Sequence, residues 1–524
     1  MPIPHASNDF PVVQYADDTI LILKADLAEV QHLKSLLDIF AESTGLKVNY
    51  HKSSIIPINV QDGDVNAIAS ALGCQVASMP FTYLDLPMGT TKPRMEDLTP
   101  LMDRVERKLS AFSSYLSYSI RLQMINSVLS PTVTYAMSSI KLLVGVIENI
   151  DRARKQCLWR GNDASKKGGN LAAWHMVQKP KKKGGLGVIN LRLQNDALLL
   201  KQLHKFYSKK DIPWVSLIWS RYYTSRVPHA STEVGSFWWK DLLRLNVLYR
   251  GIAKCTIGDG STIAFWGDLW STDILSEKFP RFFSFAINPD ISVKEIIMAQ
   301  DLDSIFHLPI SEQASQELGD LQDLLLSSDY DLASNDSWSF MWGNQLYSSS
   351  RYYNLVFQHF PVSPIFKRLW QSKCTPRLKF FAWLLLVDRL NTRNMLLRRH
   401  YNVHPNSWCV LCSTQEEEDL NHLFFTCPFA LSCWNKLSIQ WDASLSIQER
   451  VLHMIGSTGL PCIMEIFVIT VWEIWNIRNS KIFYNGSVSF SLWFRKFSDQ
   501  VHLQLMRVRE DKRISLIQWL ESIT

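Results

Sequence analysis

The stretch Pro11-Val12-Val13-Gln14-Tyr15-Ala16-Asp17-Asp18-Thr19-Ile20-Leu21-Ile22-Leu23 sets two adjacent carboxylates between two apolar runs. That pattern predicts a β-hairpin with its acids at the tip. Paired carboxylates held on a rigid turn are what a two-metal phosphoryl-transfer site needs. They bind Mg²⁺, which activates a hydroxyl and stabilises the leaving phosphate. Adjacent strand residues face opposite sides, so the two acids are equivalent only if the turn re-aims one of them.

Downstream, Leu27, Val30, Leu33, Leu36, Leu37 and Phe40 fall on one helical face, and Gly45 stands where a C-cap belongs. Leu46-Lys47-Val48-Asn49 reads as a strand, and Phe81 to Gly89 as a short strand and turn. From Pro93 to about Lys210 the pattern is helical. It breaks at Lys179-Pro180-Lys181-Lys182-Lys183-Gly184-Gly185-Leu186-Gly187 and resumes over Asn190–Tyr207. Between Trp238 and Tyr353 short strand signals dominate. Thr256-Ile257 and Thr262–Trp266 around Gly258-Asp259-Gly260-Ser261 predict a hairpin. No Lys follows these glycines and no helix opens there, so they are not read as a phosphate cradle. Phe366–His400 and Ile463–Thr524 are helical again.

With 524 residues, two to four domains are expected. The net charge of +6 is compatible with a polyanionic partner without requiring one. The 19 Trp cluster in the second half and read first as core, with base stacking a minority role. Met1-Pro2-Ile3-Pro4-His5 has neither a basic start nor an apolar run, so no leader is expected. The apolar segment Ile463–Trp475, interrupted by Glu465 and Glu473, is too short to span a bilayer, and no membrane partner is expected. Nine cysteines without a regular framework point to a reducing, intracellular compartment.

One cysteine group does have ligand spacing: Cys409-x2-Cys412-x9-His422-x4-Cys427. Two Cys in a tight turn clasp one metal, and a nearby His and Cys complete a tetrahedral set suited to Zn²⁺. Such a loop has little core of its own, so the metal would supply much of its folding energy. Cys433 is a spare thiol, expected to pack in a helix. Arg389, Arg393, Arg398, Arg399 and His400, near Trp408, are candidates for phosphate contacts; a solvated helix face is the alternative for any one of them. Lys181, Lys182 and Lys183 are candidates for nucleic-acid contacts or a nuclear-import signal, with a solvated loop as the alternative.

Tyr15-Ala16-Asp17-Asp18 resembles the catalytic box of reverse transcriptases. Gly45-Leu46-Lys47-Val48-Asn49-Tyr50-His51-Lys52-Ser53 is similar to the next palm motif of non-LTR (LINE-type) retrotransposon enzymes, and Tyr83-Leu84-Asp85-Leu86-Pro87-Met88-Gly89 to their primer-grip turn. Ile150-Asp151-Arg152 to Leu158-Trp159-Arg160-Gly161 and Lys183–Val188 resemble the segment after the palm in plant members. Lys379–Leu385, Asp388–Thr392 and His422–Phe429 resemble the reverse-transcriptase zinc-binding domain of the same polyproteins.

The resemblance implies an α+β protein: a truncated polymerase palm (1–90), a mainly helical thumb-like region (91–230), a connector with short strands (231–350), a helical zinc-binding domain (351–440) and a C-terminal helical region (441–524). It implies Asp17 and Asp18 as Mg²⁺ ligands, Tyr15 under the primer end, and Lys52 beside the leaving pyrophosphate. Asn49 and Tyr83 would contact nucleic acid, and the partners would be template and primer, RNA and DNA. The implied activity is RNA-directed DNA synthesis. The family's first catalytic Asp, its fingers and its Gly-rich template loop would precede residue 1, so this stretch is expected to be inactive alone. Neither a ribonuclease H signature after the zinc cluster nor an endonuclease before the palm is expected. Asp85 stands where the family usually has Gly. A positive φ there costs Asp about a kcal/mol or more, and the extra carboxylate repels primer phosphates. The competing function is a non-catalytic zinc-dependent nucleic-acid-binding protein or scaffold, located inside the cell, with the nucleus a candidate site.

Overall fold

Alternating and helical patterns are both realised in the computed structural model, which describes residues 12–111, 116–161, 169–223, 227–228, 235–299, 301–326, 333–343, 346–460 and 462–523. Met1–His5, Pro11 and Thr524 lie outside the described residues. The molecule is helix-rich with four two-stranded sheets among the described residues, an α+β composition. It divides into two units that interleave along the chain. One takes Met1–Met102, Val133–Ile147 and Arg192–Tyr353; the other takes Asp103–Thr132, Glu148–Leu191 and Asn354–Thr524.

In the first unit, β1 (Val12–Tyr15) and β2 (Asp18–Leu21) form the expected hairpin, with Tyr15 opposite Asp18 and Ala16-Asp17 as its two-residue turn. Ala16 takes φ 53, the left-handed conformation that such tight turns use. The strands bury almost nothing: Val12, Val13, Leu21 and Ile22 all face solvent. Helix α1 (Leu27–Thr44) is capped by the Asp26 side chain at one end and by Gly45 at φ 75 at the other. Its apolar stripe buries only Val30, and Lys34 Nζ donates to the Ala71 carbonyl at 2.7 Å, tying α1 to α2 (Asp62–Leu72). Two-residue strands β3 (Ser54–Ile55) and β4 (Gln75–Val76) pair in parallel across α2. The strand expected over Leu46–Asn49 does not form. Asn49 instead closes a turn, its carbonyl accepting from Lys52 and Ser53. Hairpin β5 (Phe81–Tyr83) and β6 (Leu86–Met88) turns through Leu84 and Asp85, both at positive φ (48 and 62).

The core of this unit is aromatic, as expected of its Trp residues. On α3 (Leu191–Tyr207), Phe206 stacks on Trp219 at 4.4 Å, and the Tyr207 hydroxyl donates to the Pro228 carbonyl at 2.6 Å. Buried Asn195 on the same helix donates to the Met137 and Ile140 carbonyls and accepts from Leu142 N–H.

The hairpin expected around Gly258–Ser261 is replaced by a longer-range pairing. β7 (Ala253–Thr256) runs antiparallel to β8 (Ser337–Phe340), 80 residues on. The cause is Asp336, which stands buried just before β8. Its carboxylate accepts from Gly258 N–H (2.9 Å), Gly260 N–H (2.8 Å), Thr262 N–H (2.8 Å) and the Thr262 hydroxyl (2.8 Å). Four donors round one carboxylate fold the glycine loop inward and leave no second strand to pair with β7. A Cβ on Gly258 would lie 2.5 Å from the Asn335 carbonyl carbon, so only glycine fits there.

The second unit is built on two helices buried on nearly all sides, the mark of a core helix. They are α5 (Pro376–Leu386), preceded by α4 (Pro364–Gln371), and α8 (Ile463–Tyr484). Between them in sequence lie α6 (Arg393–Arg398), the cysteine segment and α7 (Pro428–Lys436); α9 (Phe490–Leu505) follows. Phe381 meets Trp472 edge to face at 5.0 Å, and the Trp434 indole donates to the Phe424 carbonyl at 2.6 Å. Cys433 is fully buried in α7. Among the described residues no helix is long and apolar enough to cross a membrane.

A candidate metal centre and the surfaces around it

Cys409 enters the site on a short extended stretch. Its N–H donates to the Glu416 carbonyl at 2.9 Å, and Trp408 bridges Glu417. The chain then turns tightly to Cys412. Of the other two ligands, His422 opens a single π turn, His422–Thr426, and Cys427 closes it, its N–H reaching back five residues to the His422 carbonyl at 2.7 Å. That wider turn links the backbones of His422 and Cys427 directly. Cys427 is also the N-cap of α7, with Pro428 in the first helical position.

The four ligand atoms lie within 4.8 Å of one another. Cys409 Sγ is 3.9 Å from Cys427 Sγ, and Cys412 Sγ is 3.3 Å from His422 Nε2. A zinc tetrahedron with bonds of about 2.3 Å to sulfur has edges of about 3.8 Å between sulfurs, close to the Cys409–Cys427 separation, and the three sulfurs and one imidazole nitrogen are a donor set that suits that ion. A hydrogen bond from the Cys409 thiol, helped by the Ala430 and Phe429 N–H groups at the helix start, draws the Cys427 thiol down to about 6. The Cys409 thiol moves the other way, raised by donating that bond and by burial.

The pattern of cysteines did not reveal what holds the ligands. His422 Nδ1 pairs with Glu416 Oε2 at 2.8 Å, which leaves Nε2 to face Cys412 and the cluster. A carboxylate behind a ligating imidazole fixes its tautomer and orientation. Asp419 Oδ1 accepts from His422 N–H at 2.6 Å. Glu418, fully buried, pairs with Arg478 of α8 at 2.6 Å and accepts from Arg393 N–H at 3.0 Å. The one sequence signal for these roles was the acidic run Glu416-Glu417-Glu418-Asp419 between the second and third ligands.

The basic residues read as nucleic-acid contacts divide sharply. Lys183 Nζ gives all three donors to carbonyls, those of Phe357, Gln358 (3.2 Å) and Phe360 (2.6 Å). Lys181 lies over the Trp370 ring at 5.0 Å, and Lys182 is exposed. Arg393 binds the Asn406 carbonyl at 2.9 Å and the Trp408 carbonyl at 3.3 Å, pinning the cysteine segment to α6. Lys183 is therefore an internal tie, with its three donors on carbonyls, whereas Arg393 ties the cysteine segment through one guanidinium nitrogen and keeps its other donors. Arg389 lines an open cavity with Arg398 and Arg399.

In the first unit, Tyr15, Asp17 and Asp18 are exposed at the β1–β2 turn. The Tyr135 phenol is raised first by its partial burial and further by Tyr15, Asp85 and Tyr83. The Tyr83 hydroxyl is buried and makes no hydrogen bond. Lys52 is exposed, and the Asn49 side chain bonds its own turn through Lys52 N–H at 3.2 Å. Among the described residues no third carboxylate or His joins Asp17 and Asp18 in a metal cluster. The placement of these residues adds no support to the Mg²⁺ site that the resemblance implied.

Residues 347–434 match the family model described as zinc-binding in reverse transcriptase. An Arabidopsis thaliana protein that carries ribonuclease H in its name is 25% identical over 405 residues. The match takes in 73% of this chain and 64% of that protein, so the chain spans less than two thirds of this relative's length. An uncharacterised mitochondrial protein of Arabidopsis thaliana is 31% identical over 147 residues, 26% of this chain and 92% of that protein. With the zinc-binding match toward the C-terminal end, these relatives place the chain in the plant non-LTR reverse-transcriptase-related family.

Proposed function

We propose that this chain is the zinc-dependent nucleic-acid-binding portion of a retrotransposon-type RNA-directed DNA polymerase, and that these 524 residues do not polymerise by themselves. The observation that carries the reading is the Cys409–Cys412–His422–Cys427 cluster, whose ligand atoms lie within 4.8 Å of one another and which is braced by Glu416. Zinc there would supply no chemistry beyond four bonds. It would fix the segment between α6 and α7 and so hold the exposed Trp408 and the Arg-lined cavity in place. The lack of polymerisation rests on Asp17 and Asp18, which stand exposed on a hairpin without a third ligand among the described residues. A two-metal centre with half its ligands loses both affinity and in-line geometry. RNA and DNA would be bound through phosphates, without strong sequence preference.

The test is a salt titration of zinc-loaded protein against a labelled single-stranded oligonucleotide, with a primer-extension assay on an RNA template in Mg²⁺ beside it. Binding that weakens steeply with salt and is lost on chelation, without extension, is the expected result. Extension abolished by Asp17→Ala would overturn the inactive reading. Binding that is salt-independent or absent at low salt would favour a scaffold, in which the cluster only holds a helical domain together.

A further inference from the structure

Three arginines of the second unit converge on one cavity. Its volume is about 340 Å³, and it is walled by Arg389, Arg398, Arg399, Met395 and residues 170–173. That is within the range of small-ligand sites and larger than a bare phosphate needs. Each guanidinium is anchored by part of its donor set only. Arg399 donates to Asn391 Oδ1 (3.0 Å) and to the Leu171 carbonyl in the cavity wall (2.6 Å). Arg389 donates to the Asp388 carbonyl (2.8 Å), and Arg398 pairs with the Asp388 carboxylate (2.7 Å). A guanidinium carries five N–H donors, so each keeps donors for a ligand.

Among the described residues Asp388 is the one acid ion-paired with any of the three, through Arg398, and it sits at φ 52, a left-handed conformation, with its carbonyl accepting from Arg389 and its carboxylate from Arg398. Three cations against one anion leave the cavity with a positive excess. Burial first, then Arg389 and Arg398, already weakens the hold of Arg399 on its proton, the direction expected where like charges crowd. An anion would relieve that crowding.

We propose that this cavity is a phosphate site that takes one nucleotide unit of a nucleic-acid strand, its phosphate on Arg389, Arg398 and Arg399 and its sugar in the remaining space beside Met395. The inference rests on the nucleic-acid reading above and deepens it, since it names the position at which a strand is gripped. Arginine suits the task because its planar fork matches phosphate oxygens two at a time. The site stands apart from the zinc ligands, so it makes a separate prediction.

The experiment is calorimetric titration of the zinc-loaded full chain with thymidine 5′-monophosphate and with thymidine at low salt, followed by competition with a single-stranded oligonucleotide. The nucleotide is expected to bind at least tenfold more tightly than the nucleoside and to be displaced by the oligonucleotide. The double variant Arg389→Gln/Arg398→Gln should lose at least tenfold in nucleotide affinity at unchanged zinc content. It should also lower the salt slope of oligonucleotide binding by about one to two. Arg509→Glu, an exposed charge elsewhere in the unit, should change nucleotide affinity less than twofold. Equal affinity for nucleotide and nucleoside in the wild type overturns the site whether or not the double variant folds. So does an unchanged nucleotide affinity in a folded double variant. If the oligonucleotide binds with zinc-dependent, salt-dependent affinity while the nucleotide does not bind, the phosphate site fails and the broader reading stands. If the oligonucleotide does not bind at all, the broader reading fails.

Discussion

Glu416 decides which nitrogen of His422 can face a metal. Its carboxylate holds Nδ1 at 2.8 Å, so Nε2 is left for the cluster, 3.3 Å from Cys412 Sγ. Removing such a carboxylate leaves the four ligands in place and frees the imidazole to rotate. Glu416→Gln should therefore weaken zinc affinity by about 10- to 100-fold with the stoichiometry unchanged. Competition against a chromophoric chelator measures it; an unaltered affinity would show that the π turn alone orients the ring. The neighbouring Glu418 has another task. It is buried against Arg478 and accepts from Arg393 N–H, so it ties the metal loop to α6 and α8.

At the scale of elements, the run Lys179–Gly187 acts as a clasp. Gly185 N–H bonds the Pro180 carbonyl, Gly187 N–H bonds the Lys179 carbonyl, and the Trp383 indole of α5 donates to the Gly184 carbonyl at 2.9 Å. A Cβ on Gly185 would come within 2.0 Å of the Lys179 carbonyl oxygen. Gly185→Ala should cost about 1–3 kcal/mol, the usual range for forced overpacking. Urea unfolding followed by circular dichroism would show it, and an unchanged midpoint would contradict the clasp. On α3, burial and then Lys210 hold the His204 imidazole down to about 4, against an ordinary 6.5. The neutral ring is the folded form, so as pH falls through 6.5 the unfolded chain takes up the proton first. This contribution to stability is intact above 6.5 and drains away between 6.5 and about 4. Thermal unfolding across that window should therefore show a shallower acid loss in His204→Leu than in the wild type; parallel profiles would contradict the assignment.

Local elements were readable where pattern and cap agreed. Helix α1 with Gly45, the hairpin at Ala16-Asp17 and the helices after Phe366 follow directly from spacing. The β7–β8 pairing was not readable, because the carboxylate that folds the glycine loop inward lies about 75 residues downstream of it. Asn49 defeated its strand reading by closing a turn with its own side chain. At the site, the metal ligands were legible from their spacing. The ties of Lys183 and Arg393 were not, since a basic residue that bonds carbonyls of its own chain looks in sequence like one that faces solvent.

For the whole molecule, the central claim is that zinc at Cys409, Cys412, His422 and Cys427 organises a nucleic-acid-binding unit. The two units interleave along the chain, and the metal cluster, the lysine clasp and the arginine cavity all belong to the same one. Loss of the metal should therefore be felt through that unit and should leave the aromatic core around Phe206 and Tyr207 intact. The most direct measurement is the zinc content of chelator-washed, zinc-reconstituted protein, determined by elemental analysis beside oligonucleotide affinity on the same samples. The account predicts one zinc per chain, none in Cys412→Ser/His422→Ala, and a parallel loss of oligonucleotide binding in that variant. A zinc content unchanged by the double substitution, or full oligonucleotide affinity in the zinc-free protein, would contradict it.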